Sequence, residues 1–255
     1  MRGLPPLRPG DTVAGMDGCR SGWVIAYVRI SPQLKPIDLT FRLVAGLHQL
    51  PARPDVRRLF VDMPMGLSEG QTRTVERHAR ALLPTDRKSS VFPVPCRQAV
   101  YAGSYEECCA VNERHLGVRV PRQSFNIAVK IRELDETLSQ RKRWRARVFE
   151  SHPEICFLRF AGEALPPKRG RLGIHRRREL ICACVRDAAI TLDAILESTR
   201  RCDLRVDDLL DAAVLALSAA LPAGKLEQLP TIKQVDSRGI PMRLVIPSTR
   251  LTGVA

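Results

Sequence analysis

Residues 12–30 read TVAGMDGCRSGWVIAYVRI. A short apolar run ends on Asp17, turn residues fill the segment from Gly18 to Gly22, and Trp23 opens a run rich in Val, Ile and Tyr. The pattern predicts a strand over residues 12–17, a tight turn and a second strand over residues 23–30. Outward from this hairpin, LTFRL (residues 39–43) alternates as a third strand. LFVD (residues 59–62) is a short buried-type strand ending on Asp62, broken at once by Pro64 and Gly66. ARVFE (residues 146–150) again ends on an acid, Glu150, and residues 241–246 form a candidate closing edge strand.

Helical periodicity fills the spaces between these strands. Residues 72–83, 105–116 and 125–138 predict three helices, and because strand patterning resumes after them they read as a helical insertion over residues 69–140. Helix signals return over residues 175–198 and 207–221. In the latter, Asp207 is the expected N-cap and Leu210, Val214, Leu217 and Leu221 make an apolar stripe. Strands alternating with helices predict an α/β class: a single domain over residues 12–247, with tails at 1–11 and 248–255.

The composition narrows the function. With 255 residues and 44% hydrophobic side chains, the chain can bury a sizeable core. No apolar run approaches the roughly 18–20 residues of a spanning helix, so no membrane partner is expected. Eight cysteines without a CxxC pair read as reduced thiols, which points to a cytoplasmic protein. Lys and Arg exceed Asp and Glu by 41 − 27 = 14, an excess that favours a polyanionic partner such as DNA or RNA. Two basic runs stand out: Arg141, Lys142, Arg143, Arg145 and Arg147 around Trp144, and the run from Lys168 to Arg178. Either they are phosphate-binding surfaces or they are solvated faces.

The carboxylates carry the chemistry. If the strands ending on Asp17, Asp62 and Glu150 lie parallel, their carboxyl ends share the sheet edge where α/β proteins place ligands. Asp208 and Asp211, three apart in DDLLDA, face one side of a helix. Crowded carboxylates repel, and a hard divalent cation relieves that repulsion. Oxygen-only donors suit Mg²⁺ or Mn²⁺, and a pair of such ions serves phosphodiester cleavage. A lone strand-ending Asp is more often a turn or cap residue, so each acid singly is weak evidence and the set is stronger than its members.

Several motifs also resemble, in order, those of domain of unknown function family 429 (DUF429): GMDGCRSGW, VDMPMGL, DRKSSVFPVPCR, the ESHPE around Glu150 and His152, DDLLDA and GIPMRLVIP. The resemblance covers nearly the whole chain. It implies an RNase H-like fold, a mixed five-stranded sheet flanked by helices, and a predicted nuclease activity. Its acids would sit on the first strand (Asp17), the fourth strand (Asp62) and a late helix (Asp208, Asp211), which together would hold the metal. Glu150 matches no acid of that general pattern and is expected to assist.

Other motif residues have two readings each. His152 is either a general base or metal ligand, or the residue that holds the turn before Pro153. Arg87, Ser89 and Ser90 form either a phosphate-gripping loop or a surface turn. Lys130 either reaches the site or pairs with an acid such as Glu133. Arg143 and Arg145 are the expected nucleic-acid contacts of the first basic run. The sequence has no HExxH and no GxxxxGK[ST], and the glycines around Asp17 do not form a dinucleotide fingerprint. The leading expectation is therefore a Mg²⁺- or Mn²⁺-dependent nuclease or phosphodiesterase. The alternatives are a non-catalytic nucleic-acid-binding or adaptor protein on the same fold, and an actin-like nucleotide phosphohydrolase or phosphotransferase.

Overall fold

The computed structural model describes residues 3–50 and 55–248. In chain order it contains β1 (Thr12–Cys19), β2 (Gly22–Ile30), β3 (Pro36–Val44), β4 (Val56–Val61), α1 (Val75–Leu82), α2 (Arg97–Val100), α3 (Tyr105–Leu116), α4 (Arg122–Asn126) and α5 (Ala128–Gln140). It continues with β5 (Val148–Glu150), α6 (Pro153–Ala161), α7 (Arg171–Cys184), α8 (Ala188–Ser198), α9 (Val206–Ala219), β6 (Leu226–Leu229) and β7 (Leu244–Pro247). The strands form one mixed seven-stranded sheet in the order β3-β2-β1-β4-β5-β7-β6. Five strands were expected from the resemblance. β6 was not read from the sequence, since LEQL is too short and too polar to announce itself.

The chain divides into two compact units. The first comprises Met1–Asp62, Ala146–Glu227 and Val245–Ala255; the second comprises Met63–Arg145 and Gln228–Leu244. The second unit contains the helices expected over residues 69–140 together with a segment near the C-terminus.

In the first unit β1 pairs antiparallel with β2 and parallel with β4, and β4 pairs parallel with β5. The expected tail before β1 is tied down where it is described: Arg58 Nε donates to the Pro5 carbonyl at 2.8 Å, and Gly10 N–H donates to Ile30 at 2.9 Å. Of the expected tails, residues 1–2 and 249–255 lie outside the described residues. α9 packs against β1, β2 and β4, and also against α6 and α7. Its expected single stripe is accordingly replaced by burial on every side, with Leu209 through Ala219 all buried. The helix expected over residues 175–198 is two helices, because Val185 is extended and Asp187 takes a left-handed conformation (φ 60°) that an acidic side chain tolerates.

Two residues seat α9. A Cβ on Gly15 would lie 2.1 Å from the Ala212 carbonyl oxygen and 2.2 Å from the Ala216 nitrogen, so only glycine lets the helix backbone come this close to β1. Arg58 on β4, fully buried, donates to the carbonyls of Ala219 (3.1 Å) and Leu221 (2.7 Å). A cation is thereby placed where the helix end exposes unpaired acceptors.

The second unit is held differently. Cys96, Ala99, Ala102, Cys108, Cys109 and Val120 form a small apolar core with Tyr105 and Phe125 packed edge-on against each other. Arg97, buried, donates to both oxygens of Asp135 at 2.8 and 2.7 Å and also bonds Asp236. Asp236 in turn accepts from the backbone N–H groups of Leu67, Arg238 and Ile240. This network of paired buried charges ties residues 228–244 to the helical insertion.

Gly15→Ala is expected to destabilise the protein by about 3 kcal/mol or more, because the added methyl meets backbone atoms that belong to a buried helix. Urea denaturation measures it. A loss below about 1 kcal/mol would mean that α9 slides freely over β1.

Candidate functional site

Strand register brings the first two acids together. Met16 lies opposite Val61 in the parallel β1–β4 pair, so Asp17 and Asp62 follow at the same level of the carboxyl edge. Asp62 N–H donates to the Met16 carbonyl at 3.0 Å, which extends the pairing to that level. Side chains at equal register on neighbouring strands share a face. Gly15 precedes Asp17 by two residues and shares that face as well, and it is the face that α9 covers. The helix therefore delivers Asp211, the neighbour of Ala212, to the same point. Asp17, Asp62 and Asp211 each offer a carboxylate oxygen, and these oxygens all lie within 4.8 Å of one another. Asp208 sits one turn earlier on α9 and accepts from the Arg205 N–H at 3.4 Å.

Glu150 is placed otherwise. Val61 pairs with Glu150, and Ser151 N–H donates to the Val61 carbonyl, so Ser151 occupies the level of Asp62. Alternation along the strand then turns the buried Glu150 side chain to the opposite face from Asp17 and Asp62. His152 immediately precedes α6, with Pro153 in the first turn, and its carbonyl accepts from the Cys156 N–H at 3.0 Å. Burial pushes the Cys156 thiol up to about 11, so it remains protonated beside Ser151.

The sequence reading counted Lys168 only as part of a basic run. Its Nζ lies 2.7 Å from Asp211 Oδ2, and its charge also acts on Asp17 and Asp62. The loop that carries it is built with care. Buried Arg177 donates to the Pro166 carbonyl at 2.8 Å and pairs with Glu154 at 2.7 Å. Gly173 packs so tightly that a Cβ there would lie 2.1 Å from the Pro167 carbonyl oxygen. The available signal was a lysine behind two prolines in an otherwise arginine-rich run, since a compact ammonium suits a crowded carboxylate site better than a planar fork.

Electrostatics follow from this crowding. Burial, with the charges of Asp62 and Asp211, raises Asp17 well above the usual carboxylate range. Burial also pushes Asp62 and Asp211 up to about 6 each, against the pull of Lys168, and pushes Asp208 up to about 6 with help from Asp207. Burial alone would lower Lys168, yet Asp211, Asp17 and Asp62 raise it above the usual lysine range. Four carboxylates against one ammonium leave an excess of negative charge that a hard divalent cation would balance. The oxygen donors of Asp17, Asp62 and Asp211 fit Mg²⁺ or Mn²⁺ and lack the nitrogen and sulfur ligands typical of zinc.

Asp207 is not the N-cap, because α9 begins at Val206; its carboxylate pairs with Arg205 Nε at 2.9 Å. Arg87, Ser89, Ser90, Lys130, Arg143 and Arg145 belong to the second unit. Ser90 Oγ donates to the Arg87 carbonyl within a short 3-10 turn. Arg145 spends its guanidinium on the carbonyls of Leu138, Ser139 and Arg238, while Arg143 is exposed.

The raised carboxylates give a signed pH effect. Between about pH 4 and pH 6 the folded state holds protons that the unfolded chain releases, so stability from this cluster falls as pH rises through that window. In chelator, Asp62→Asn is expected to stabilise the protein by on the order of 1–3 kcal/mol at about pH 8 and to do nothing at about pH 4. Urea titrations at the two pH values check this, and equal effects at both would show that Asp62 carries no ionisation penalty.

No curated protein and no solved structure matches the chain. Over residues 15–234, a span that includes Asp17, Asp62, Lys168, Asp208 and Asp211, it matches the model of the family described as "Protein of unknown function (DUF429)". The chain is a member of that family.

Proposed function

We propose that this protein is a divalent-cation-dependent nuclease or phosphodiesterase built on an RNase H-like fold. The observation that carries the reading is the convergence of Asp17, Asp62 and Asp211 within 4.8 Å from three chain-distant elements. The first five strands forming a contiguous mixed sheet, with acids near the carboxyl end of the first, just after the fourth and on a late helix, support the fold assignment. Asp17, Asp62 and Asp211 would hold the cation, with Asp208 next to them. Mg²⁺ or Mn²⁺, when bound, supplies Lewis acidity at a phosphodiester and charge to balance the carboxylates. The chain's own groups do the rest. The strand ends fix the orientation of Asp17 and Asp62, α9 fixes Asp211, and Lys168, held 2.7 Å from Asp211, would offer its ammonium as a hydrogen-bond donor to a phosphate oxygen.

One observation favours the non-catalytic alternative. The 2.7 Å ion pair of Lys168 with Asp211 is a structural use for the same carboxylates, and a binding protein would need nothing more. Turnover separates the two readings.

Wild-type protein with Mg²⁺ or Mn²⁺ is expected to cleave at least one member of a panel of single- and double-stranded DNA, RNA, hybrids and branched junctions. Asp17→Asn should lose more than about 100-fold in rate, since even outer-shell partners of a metal cost 10–100-fold. Asp38→Asn is the matched control: Asp38 is exposed, pairs with Arg29 and has φ 52°, which Asn tolerates. Gel assays read the outcome. Cleavage by Asp17→Asn at the wild-type rate, or none by wild type on any substrate, would sink the nuclease reading.

A further inference from the structure

The acid cluster is bordered by arginines of which the sequence reading singled out only Arg169, as part of a basic run. The turn after β1 carries Arg20, and its neighbour Ser21 donates from both N–H (3.2 Å) and Oγ (3.1 Å) to the Asp203 carbonyl. Those bonds join it to the turn that carries Arg200 and Arg201 and leads into α9 through Arg205. Asp207 continues the line, because Arg205 Nε lies 2.9 Å from one of its oxygens and Arg169 Nε 3.9 Å from the other. Arg169 is the residue after Lys168. A continuous run of Arg20, Arg200, Arg201, Arg205 and Arg169 therefore starts three residues beyond Asp17 and ends beside the lysine that touches Asp211.

The partners of these arginines are too few and too weak to account for them. Arg20 and Arg201 are exposed and make no ion pair or hydrogen bond among the described residues. Among the described residues Arg200, with its side chain 83% exposed, pairs only with Asp203, and Arg205 and Arg169 share Asp207. The exposed Arg200 pair holds by less than about 1 kcal/mol, and although Asp207 is buried, the guanidiniums of Arg205 and Arg169 that meet it stay largely exposed, where an incoming phosphate can reach them. Several arginines of the other basic runs are more fully engaged. Arg176 and Arg178 on α7 are paired with Glu179 and Asp193, Arg177 is buried on Glu154, and Arg145 is spent on carbonyls.

We infer that Arg20, Arg169, Arg200, Arg201 and Arg205 form a polyanion-binding rim that takes the phosphates of a nucleic-acid strand on either side of the one presented to the carboxylates. This rests on the nuclease reading for what happens at the centre, but the rim is a binding surface in its own right. The charge pattern explains why a polymer and not a lone phosphate is the ligand. The centre is negative and repels a phosphate that comes without a cation. The rim is positive, and only a chain of phosphates can engage it while one of their number sits over the acids. Arginine suits the task because its planar fork pairs with phosphate in two parallel bonds.

The test uses full-length protein in EDTA and fluorescein-labelled DNA and RNA oligonucleotides, with affinity read by anisotropy across a salt series. Arg20→Ala/Arg201→Ala is expected to fold like the wild type and to flatten the slope of log affinity against log salt by about 1.5–2, the value for two lost phosphate contacts. Arg29→Ala, at the far end of the sheet beside Thr12, should leave the slope unchanged. A mononucleotide should fail to compete at concentrations where unlabelled oligonucleotide does. An unchanged slope in the double variant, no oligonucleotide binding by wild type at low salt, or effective competition by the mononucleotide would each overturn the rim. Salt-dependent binding through the rim without any cleavage in Mg²⁺ or Mn²⁺ would leave the rim standing and remove the nuclease reading. Cleavage with an unchanged slope would do the reverse.

Discussion

The contact between the backbone of α9 and Gly15 of β1 is the constraint on which the first unit depends. With 2.1 Å between a hypothetical Cβ and the Ala212 carbonyl oxygen, the helix lies directly on the strand and not on a layer of side chains. The alanines of DAAVLALSAA allow this from the helix side, and Arg58 binds the far end by its carbonyls. Close packing at this point transmits directly to the site, because Asp211 is one residue from the contact and Asp17 is two. The same geometry that buries α9 on all sides places a carboxylate where no hydrophobic packing would choose to put one.

That placement is costly, and the cost is informative. Desolvation and mutual repulsion push Asp62, Asp208 and Asp211 to about 6, and Lys168 offsets only part of the penalty. A fold that needed these positions only for stability would gain from replacing the whole charged cluster by well-packed apolar residues. The loop holding Lys168 is itself anchored by a buried arginine–glutamate pair, so both signs of charge at this edge are held by rigid neighbours. Rigid placement of repelling groups is what a cation or phosphate site requires.

The second unit shows the opposite use of buried charge. Arg97 donates to both Asp135 and Asp236, and Asp236 goes on to accept from three backbone N–H groups. The network's effect is architectural: it joins the segment around Asp236 to helices more than ninety residues earlier. Charge cancelled in this way specifies a packing arrangement, whereas charge left uncancelled, as around Asp17, leaves room for a ligand.

Periodicity and strand-ending acids made much of this legible from the sequence. The hairpin of β1 and β2, the strands ending at Asp62 and Glu150, the helices α3 and α9 and the pairing of Asp208 with Asp211 on one flank all follow from local patterns of period 2 or 3.6. Local pattern could not supply register. Whether Asp62 or Glu150 faces Asp17 depends on a one-residue offset between β4 and β5, and an offset of one reverses the face of every side chain. Nor could it distinguish Lys168 from its basic neighbours, since the ion pair with Asp211 spans 43 residues and exists only because Pro166 and Pro167 are clamped against α7. The types and spacing of the acids were written in the chain; which of them meet, and which cation stands among them, was decided by the close approach of a helix to a strand far from it in sequence.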